Sequence, residues 1–304
     1  MTLRGPPEDR SVAELLAFGV VNLDKPPGPS AHQVAGWVRD LVGNAYDASV
    51  DGDDRTVDRA AHAGTLDPKV TGCLPTLLGD ATRLAQIFDD SVKEYVAVLE
   101  LHDAAPSDFE AIVAEFEGPI YQKPPRKSAV VRRLRTRTIH ALDVLEIEDR
   151  RALLRIRCES GTYVRKLCHD LGLALGTGAH MGDLRRTATG SFDDATLATM
   201  HDLVDALALW TDDGDDAWLR EVVHPAERVL APLPTVTIAR SAAEQVAHGA
   251  PVYAPGTIEI AGDPERGALV ACVTSDDAAV CLGRLVGDPD DESGIVVDLE
   301  RVLV

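Results

Sequence analysis

The chain has 304 residues, 45% of them hydrophobic, enough for one large core or two smaller ones and too many for a disordered chain. Its formal net charge is −20, from 50 acidic against 30 basic residues, a balance that ordinarily argues against a nucleic-acid partner. The five cysteines (Cys73, Cys158, Cys168, Cys272 and Cys281) are odd in number and form no C-x-x-C, so a disulfide framework and a Cys-rich zinc site are poor readings.

In chain order, the first apolar run is Leu15 to Val21. It is too short to span a bilayer and follows no basic segment, which argues against a membrane helix or a secretory signal and for a cytoplasmic protein with reduced thiols. Gly19 to Leu23 predicts a strand, and Asp24 to Ser30 (DKPPGPS) a stiff loop. Ser30 with Gln33 forms a capping box for a helix carrying Val34, Trp37, Val38 and Leu41, with Gly43 as its expected stop. The polar stretch Asn44 to Arg59 reads as an inserted acidic loop. Tyr95 to His102 reads as a strand. Ser107 with Glu110 caps a second helix with the face Phe109, Ile112, Val113 and Phe116, ended by Gly118. Leu154, Ile156 and Cys158 alternate with Arg155 and Arg157, which predicts a strand with one buried and one basic face. Thr162 to Leu173 reads as a helix with Val164, Leu167, Cys168 and Leu171 inward. From Leu233 onward, short β-rich runs (Val236–Ala239, Thr257–Ile260, Ala268–Val273, Ala279–Val286) alternate with Gly and Pro turns, the texture of a small all-β module. The composition is α+β without a strict βαβ rhythm, and no dinucleotide, P-loop or zincin motif is present.

The charge has a finer structure. There are 33 Asp to 17 Glu and 24 Arg to only 6 Lys. High Asp, scarce Lys and 4% aromatics suggest a chain tuned to concentrated salt. There the Debye length is about 3 Å and net charge loses its veto over a polyanionic partner. Against this background Tyr121 to Arg157 holds 11 basic and four acidic residues. Such a tract is either a polyanion-facing surface or a solvated strand face.

The sharpest chemical segment is His62 to Pro68 (HAGTLDP). Asp67 before Pro68 is presented from an extended loop, though an isolated Asp-Pro is commonly only a turn. Arg165 opens a helix after a Gly161-Thr162 turn; paired with Asp67, it would keep the carboxylate ionised and nucleophilic. Tyr95 offers a ring face and a phenol, and His62 a flat ring near the carboxylate. Taken singly, without the order of the motifs, Tyr95 reads better as a core tyrosine with a satisfied hydroxyl and Arg165 as a surface helix cation. Together with the basic tract they suit an enzyme that unstacks and holds a nucleobase.

These segments resemble the TruB/dyskerin family of RNA pseudouridine synthases, in the family's order and over nearly the whole chain. The carriers are Asp24-Lys25-Pro26-Pro27-Gly28, His62 to Pro68, Lys93-Glu94-Tyr95, Gln122 to Ala129 (QKPPRKSA), Gly161 to Arg165 (GTYVR) and Leu184-Arg185-Arg186. Pro68 to Gly72, Leu101-His102 and Leu175 to Met181 are similar to the archaeal and eukaryotic guide-dependent branch. Gly249-Ala250 and Ala254-Pro255-Gly256 resemble a PUA domain. Ala31 and Ser191 depart from the family pattern, as does the length of the acidic insertion.

The resemblance implies a mixed-sheet catalytic domain over residues 19–230 and a PUA pseudo-barrel over 233–304, on which residues 1–18 can pack. It implies isomerisation of uridine in rRNA or tRNA to pseudouridine, with no metal or organic cofactor. Asp67 is implied as nucleophile, Tyr95 as the residue stacking on the base, Arg165 as partner of Asp67 and Leu184 as apolar closure. Implied RNA contacts are His62, filling the gap left by the base, Lys25 (also a support of the loop), Lys123, Arg126, Lys127, Arg132 and Arg133, with Gly249 and Gly256 in the PUA module. Implied partners are an H/ACA guide RNA and small ribonucleoprotein subunits, without a membrane. Two alternatives remain at this point: a guide-independent synthase for the tRNA TΨC loop, and a non-catalytic ribonucleoprotein scaffold.

Overall fold

The computed structural model describes residues 3–50, 57–124, 131–289 and 291–304. Ser11 opens α1 (Val12–Ala17) through a capping box with Glu14. The chain then turns directly into β1 (Gly19–Lys25), two residues longer than the sequence reading, so Asp24 and Lys25 are strand residues and not part of the loop. The Ser30/Gln33 capping box starts α2 (Ala31–Ser49) as expected. Gly43 does not end this helix. It keeps helical backbone and lets the Val57 carbonyl approach to 3.0 Å of where a Cβ would be, while Ala45 and Tyr46 beyond it are buried. The expected loop over 44–59 is therefore helical to Ser49, and residues 51–56 lie outside the described residues.

β2 (Ala60–His62) and β3 (Thr71–Leu78) follow, then β4 (Lys93–Leu101), in which Tyr95, Ala97, Leu99 and Leu101 are buried and alternate with half-exposed Glu94, Val96, Val98 and Glu100. α3 (Phe109–Ala114) buries Phe109 and Val113, but its N-cap is Asp108 without a side-chain cap, and the expected Ser107/Glu110 box is not formed. β5 (Gly118–Gln122), β6 (Arg135–Glu148) and β7 (Arg151–Cys158) complete a hairpin array; β7 shows the alternation read from its arginines. α4 (Val164–Ala174) buries Val164, Leu167, Cys168 and Leu171. β8 (Ala179–Thr189), β9 (Phe192–Asp193), α5 (Met200–Asp213), α6 (Ala217–Val222) and β10 (Val223–Pro225) finish the first unit.

The strands form one mixed sheet in the order β10-β1-β3-β8-β4-β7-β6-β5, with β2 on β3 and β9 on β8. Its one parallel pairing among the described residues is β3 with β8. α3 and α4 cover the face that carries Tyr95, in a cluster with Leu154, Ile156 and Cys158. Each fully buried aliphatic there contributes about 1.5–3 kcal/mol relative to exposure.

The C-terminal unit consists of β11 (Thr235–Ile238), α7 (Arg240–Ala247), β12 (Val252–Tyr253), β13 (Thr257–Ala261), β14 (Leu269–Val273), β15 (Ala279–Leu285) and β16 (Ile295–Val302). The β runs fall where the sequence put them, but the module is not all-β. α7 (ARSAAEQVA from its cap) buries Ala243, Val246 and Ala247 on the face turned to the module's core. Phe18, Leu77 and Leu84 share a buried cluster with Ala271, Leu282 and Leu303, which joins the two units. Leu3 packs on the C-terminal core, and Arg4 donates to the Leu303 carbonyl and to Asp80, both at 2.9 Å. All five cysteines are buried and unpaired.

Candidate active site

Pro68 fixes the second position of a turn closed by the Val70 amide on the Asp67 carbonyl at 3.0 Å. The turn is anchored from beneath. The Gly28 amide donates to the Pro68 carbonyl at 2.8 Å. Lys25 Nζ donates to the carbonyls of Pro26, Pro68 and Val70 at 2.9, 3.1 and 2.8 Å. Lys25 has 0% exposure, and burial pushes its ammonium below the ordinary value, with Asp67 opposing. Lys25, expected both as an RNA contact and as a support of the loop, has its ammonium directed at three backbone carbonyls under the loop.

Above the turn the Asp67 carboxylate accepts from Arg165 Nη2. Their side chains are 55% and 60% exposed, so the pair is open to solvent and to an incoming ligand. Arg165 is the second residue of α4, whose start is held from another strand. Buried Gln122 accepts from the Tyr163 amide at 2.9 Å and donates to its carbonyl at 3.2 Å. The sequence reading quoted Gln122 in a motif but gave it no role.

Tyr95 lies opposite Ile156 on one side and Arg186 on the other. It is buried, which pushes its phenol up, while the positive charge of neighbouring Arg186 pulls the other way. Leu184, opposite Ala97, is half-buried on the same face, two residues before Arg186. His62 ends β2 half-buried. Its Nδ1 has no hydrogen-bond partner, and burial, then Arg186 and His32, hold its ring below the usual histidine value. The structure thus gathers His62, Tyr95 and Leu184 around Arg186, and Asp67 with Arg165 at the open end of the same loop.

Two buried cations were missed. Arg186 is 1% exposed and donates to the carbonyls of Cys73, Ala63 and Gly64 at 2.7, 3.3 and 3.3 Å. Lys93 is buried with Nζ on the Phe88 carbonyl at 2.8 Å, and burial, reinforced by Arg186, pushes it down to about 7. The period of a strand would have separated the adjacent arginines. Arg185 points to the opposite face and pairs with Asp24 at 2.9 and 3.1 Å, leaving Arg186 inside.

The basic tract divides between two regions. Lys123, just after β5, and Arg132 and Arg133, just before β6, are exposed, and Arg132 donates to the Pro124 carbonyl at 3.1 Å. Arg126 and Lys127 lie outside the described residues. Arg151 and Arg155 project from the sheet face opposite Tyr95, where Glu100 and Asp143 neutralise them. In the C-terminal unit Gly249 follows α7 with φ +92°, a left-handed cap, and Gly256 leaves only 2.6 Å between a would-be Cβ and Ala242. Gly249 thus has a backbone reason of its own and Gly256 a packing one.

Family descriptions cover the chain in order. They are a DKCLD (NUC011) domain over 5–35, a TruB family pseudouridylate synthase N-terminal domain over 54–164, a tRNA pseudouridylate synthase B C-terminal domain over 165–231 and a PUA domain over 234–303. The fold is that of a pseudouridine synthase carrying a PUA domain. The chain belongs to the TruB family of pseudouridylate synthases. It is 67% identical to a Haloarcula marismortui protein described as "probable tRNA pseudouridine synthase B", over 100% of this chain and 94% of that one. A Halobacterium salinarum protein of the same description is 61% identical over 100% of both. Among solved structures, a chain of a Cbf5-Nop10-Gar1 complex is 44% identical with a TM-score of 0.89, covering 99% of this chain and 90% of that one. A chain of an H/ACA RNP bound to a substrate RNA containing 2'-deoxyuridine is 42% identical with a TM-score of 0.88, covering 99% and 90%. No described helix is long and apolar enough to cross a membrane.

Proposed function

We propose that the chain isomerises specific uridines in RNA to pseudouridine as the catalytic subunit of an H/ACA ribonucleoprotein, with Asp67 as the nucleophile. The observation that carries the chemistry is the solvent-open Asp67–Arg165 pair on a turn clamped by Lys25. A flipped uridine enters beside it. The N1–C1′ bond breaks with assistance from Asp67, either by direct attack or through a glycal. The uracil turns, C5 bonds to C1′, the C5 proton leaves and N1 gains one. Every bond broken is replaced within one substrate, so the reaction needs no cofactor.

In this reading Arg165 orients Asp67, Tyr95 stacks on the base, Leu184 closes the pocket and His62 fills the vacated stack. Lys123, Arg126, Lys127, Arg132 and Arg133 contribute a salt-dependent contact to phosphates. Gly249 and Gly256 allow close approach of the guide RNA to the PUA module. Assignment to a guided particle is supported by the 44% identity to a chain of the Cbf5-Nop10-Gar1 complex.

A second reading, guide-independent action on tRNA, is favoured by the description of the two halophile relatives. Release of tritium from C5-labelled uridine, in molar KCl, separates the two. The first reading expects release only with guide RNA and the small partner proteins. Release from bare tRNA supports the second reading. No release by folded protein in any combination leaves a scaffold.

A further inference from the structure

Arg186 is a large cation in the protein interior with no carboxylate bonded to it. Desolvating such a group is costly unless every donor is directed at an acceptor. Its acceptors belong to two separate segments. Nε donates to the Cys73 carbonyl of β3 at 2.7 Å. Nη2 is shared between the Ala63 and Gly64 carbonyls, both at 3.3 Å, in the segment between His62 and Asp67. Its own strand position stands directly opposite Tyr95 of β4, so the residue that grips the loop is the cross-strand neighbour of the tyrosine. Only a planar fork of five donors spans these directions at once; a lysine offers one nitrogen. Gly64 completes the fit. It has φ +88°, and a Cβ there would come within 3.3 Å of Nη1.

We propose that Arg186 is a positioning residue for the isomerisation. It locks the distance between the Tyr95 ring and the loop presenting His62 and Asp67, so that the uracil turns between fixed walls. This rests on the reading that Asp67 and Tyr95 act on the base. The surrounding charges are arranged to leave Arg186 as the dominant cation, since both His62 and Lys93 are pushed toward their neutral forms with Arg186 among the causes. Arg186 itself reaches backbone carbonyls but no exposed position, so it acts through the groups it holds.

The test uses the assembled particle with guide and substrate RNA. R186K keeps the charge and gives up the fork. It is expected to lower kcat about 100-fold, the scale of a misplaced reacting group, with KM and RNA affinity within about twofold of wild type. A kcat within about twofold of wild type overturns the proposal, as does a loss carried entirely by KM. G64A, which crowds the guanidinium without removing it and also strains the φ +88° backbone of the loop, is expected to show the same kcat-selective loss. In the double variant the two losses are expected not to multiply; a full product overturns the proposal. Should R186K fail to fold, G64A alone decides by the same split. D67N serves as the control for the underlying reading: D67N at wild-type rate rejects the assignment of Asp67, whereas an inert D67N beside an active R186K rejects only the role of Arg186.

Discussion

Arg165 donates to the Asp67 carboxylate across 98 residues of sequence. Both side chains are more than half exposed, and an exposed ion pair contributes about 0–1 kcal/mol to stability. The pair therefore adds little to the fold and much to the presentation of the carboxylate. R165M is expected to leave the thermal midpoint within a few degrees of wild type and to lower turnover about 100-fold or more, as loss of a charge-stabilising donor does. Parallel thermal scans and tritium-release assays check this. Unchanged turnover would assign Arg165 to the surface.

Lys25 makes the opposite prediction. K25M removes the donor to three carbonyls; that of Pro68 keeps the Gly28 amide, those of Pro26 and Val70 lose this donor, and each buried group left without a partner costs about 1–3 kcal/mol. K25M is expected to be destabilised by about 2–5 kcal/mol, with RNA affinity per folded molecule unchanged. Denaturant unfolding and filter binding test the two halves. A stable K25M with weakened RNA binding would restore the original expectation of an RNA contact.

Lys93 predicts a pH dependence. Its folded value is held down to about 7 from an ordinary 10.5. Between those values the unfolded chain binds a proton that the folded chain does not, so this group makes stability rise with pH across that window. Below about pH 7 both states are protonated and the cost is present in full. Cys73 and Cys158, pushed up to about 12 and about 11 by burial, act the other way above their ordinary value of 9.0. The difference between wild type and K93M isolates the lysine. Unfolding free energy of wild type is expected to gain on K93M by about 1.4 kcal/mol per pH unit from 7 toward 9. Parallel curves would show that Lys93 keeps its proton in the fold.

The elements most legible in the sequence were those with a strong period. The capped start of α2, the alternation of β4 and β7 and the inward face of α4 all follow from side-chain spacing. Asp67 and Arg165 were legible because their motifs stand in a recognisable order. Arg186, Lys93 and the buried state of Lys25 were not. A cation satisfied by backbone carbonyls carries no hydropathy signal, and its acceptors are set by the path of strands distant in sequence. Gly43 misled for a related reason: the same residue type serves a helix stop and a close approach, and only the position of Val57 distinguishes them.

The surplus of Asp and the net charge of −20 predict stability that depends on salt. Screening in molar KCl, with a Debye length of about 3 Å, relieves the self-repulsion of the folded chain. The unfolding midpoint is expected to climb steadily from dilute to molar KCl. A midpoint indifferent to KCl would detach the composition from salt adaptation.

The most direct test of the central claim is the D67N particle, assembled with guide RNA and partner proteins in molar KCl and assayed for tritium release under single turnover. D67N is expected to bind substrate RNA with wild-type affinity and to release no tritium above background. Release at the wild-type rate from D67N would contradict the assignment of Asp67 and, with it, the mechanism built on its pairing with Arg165.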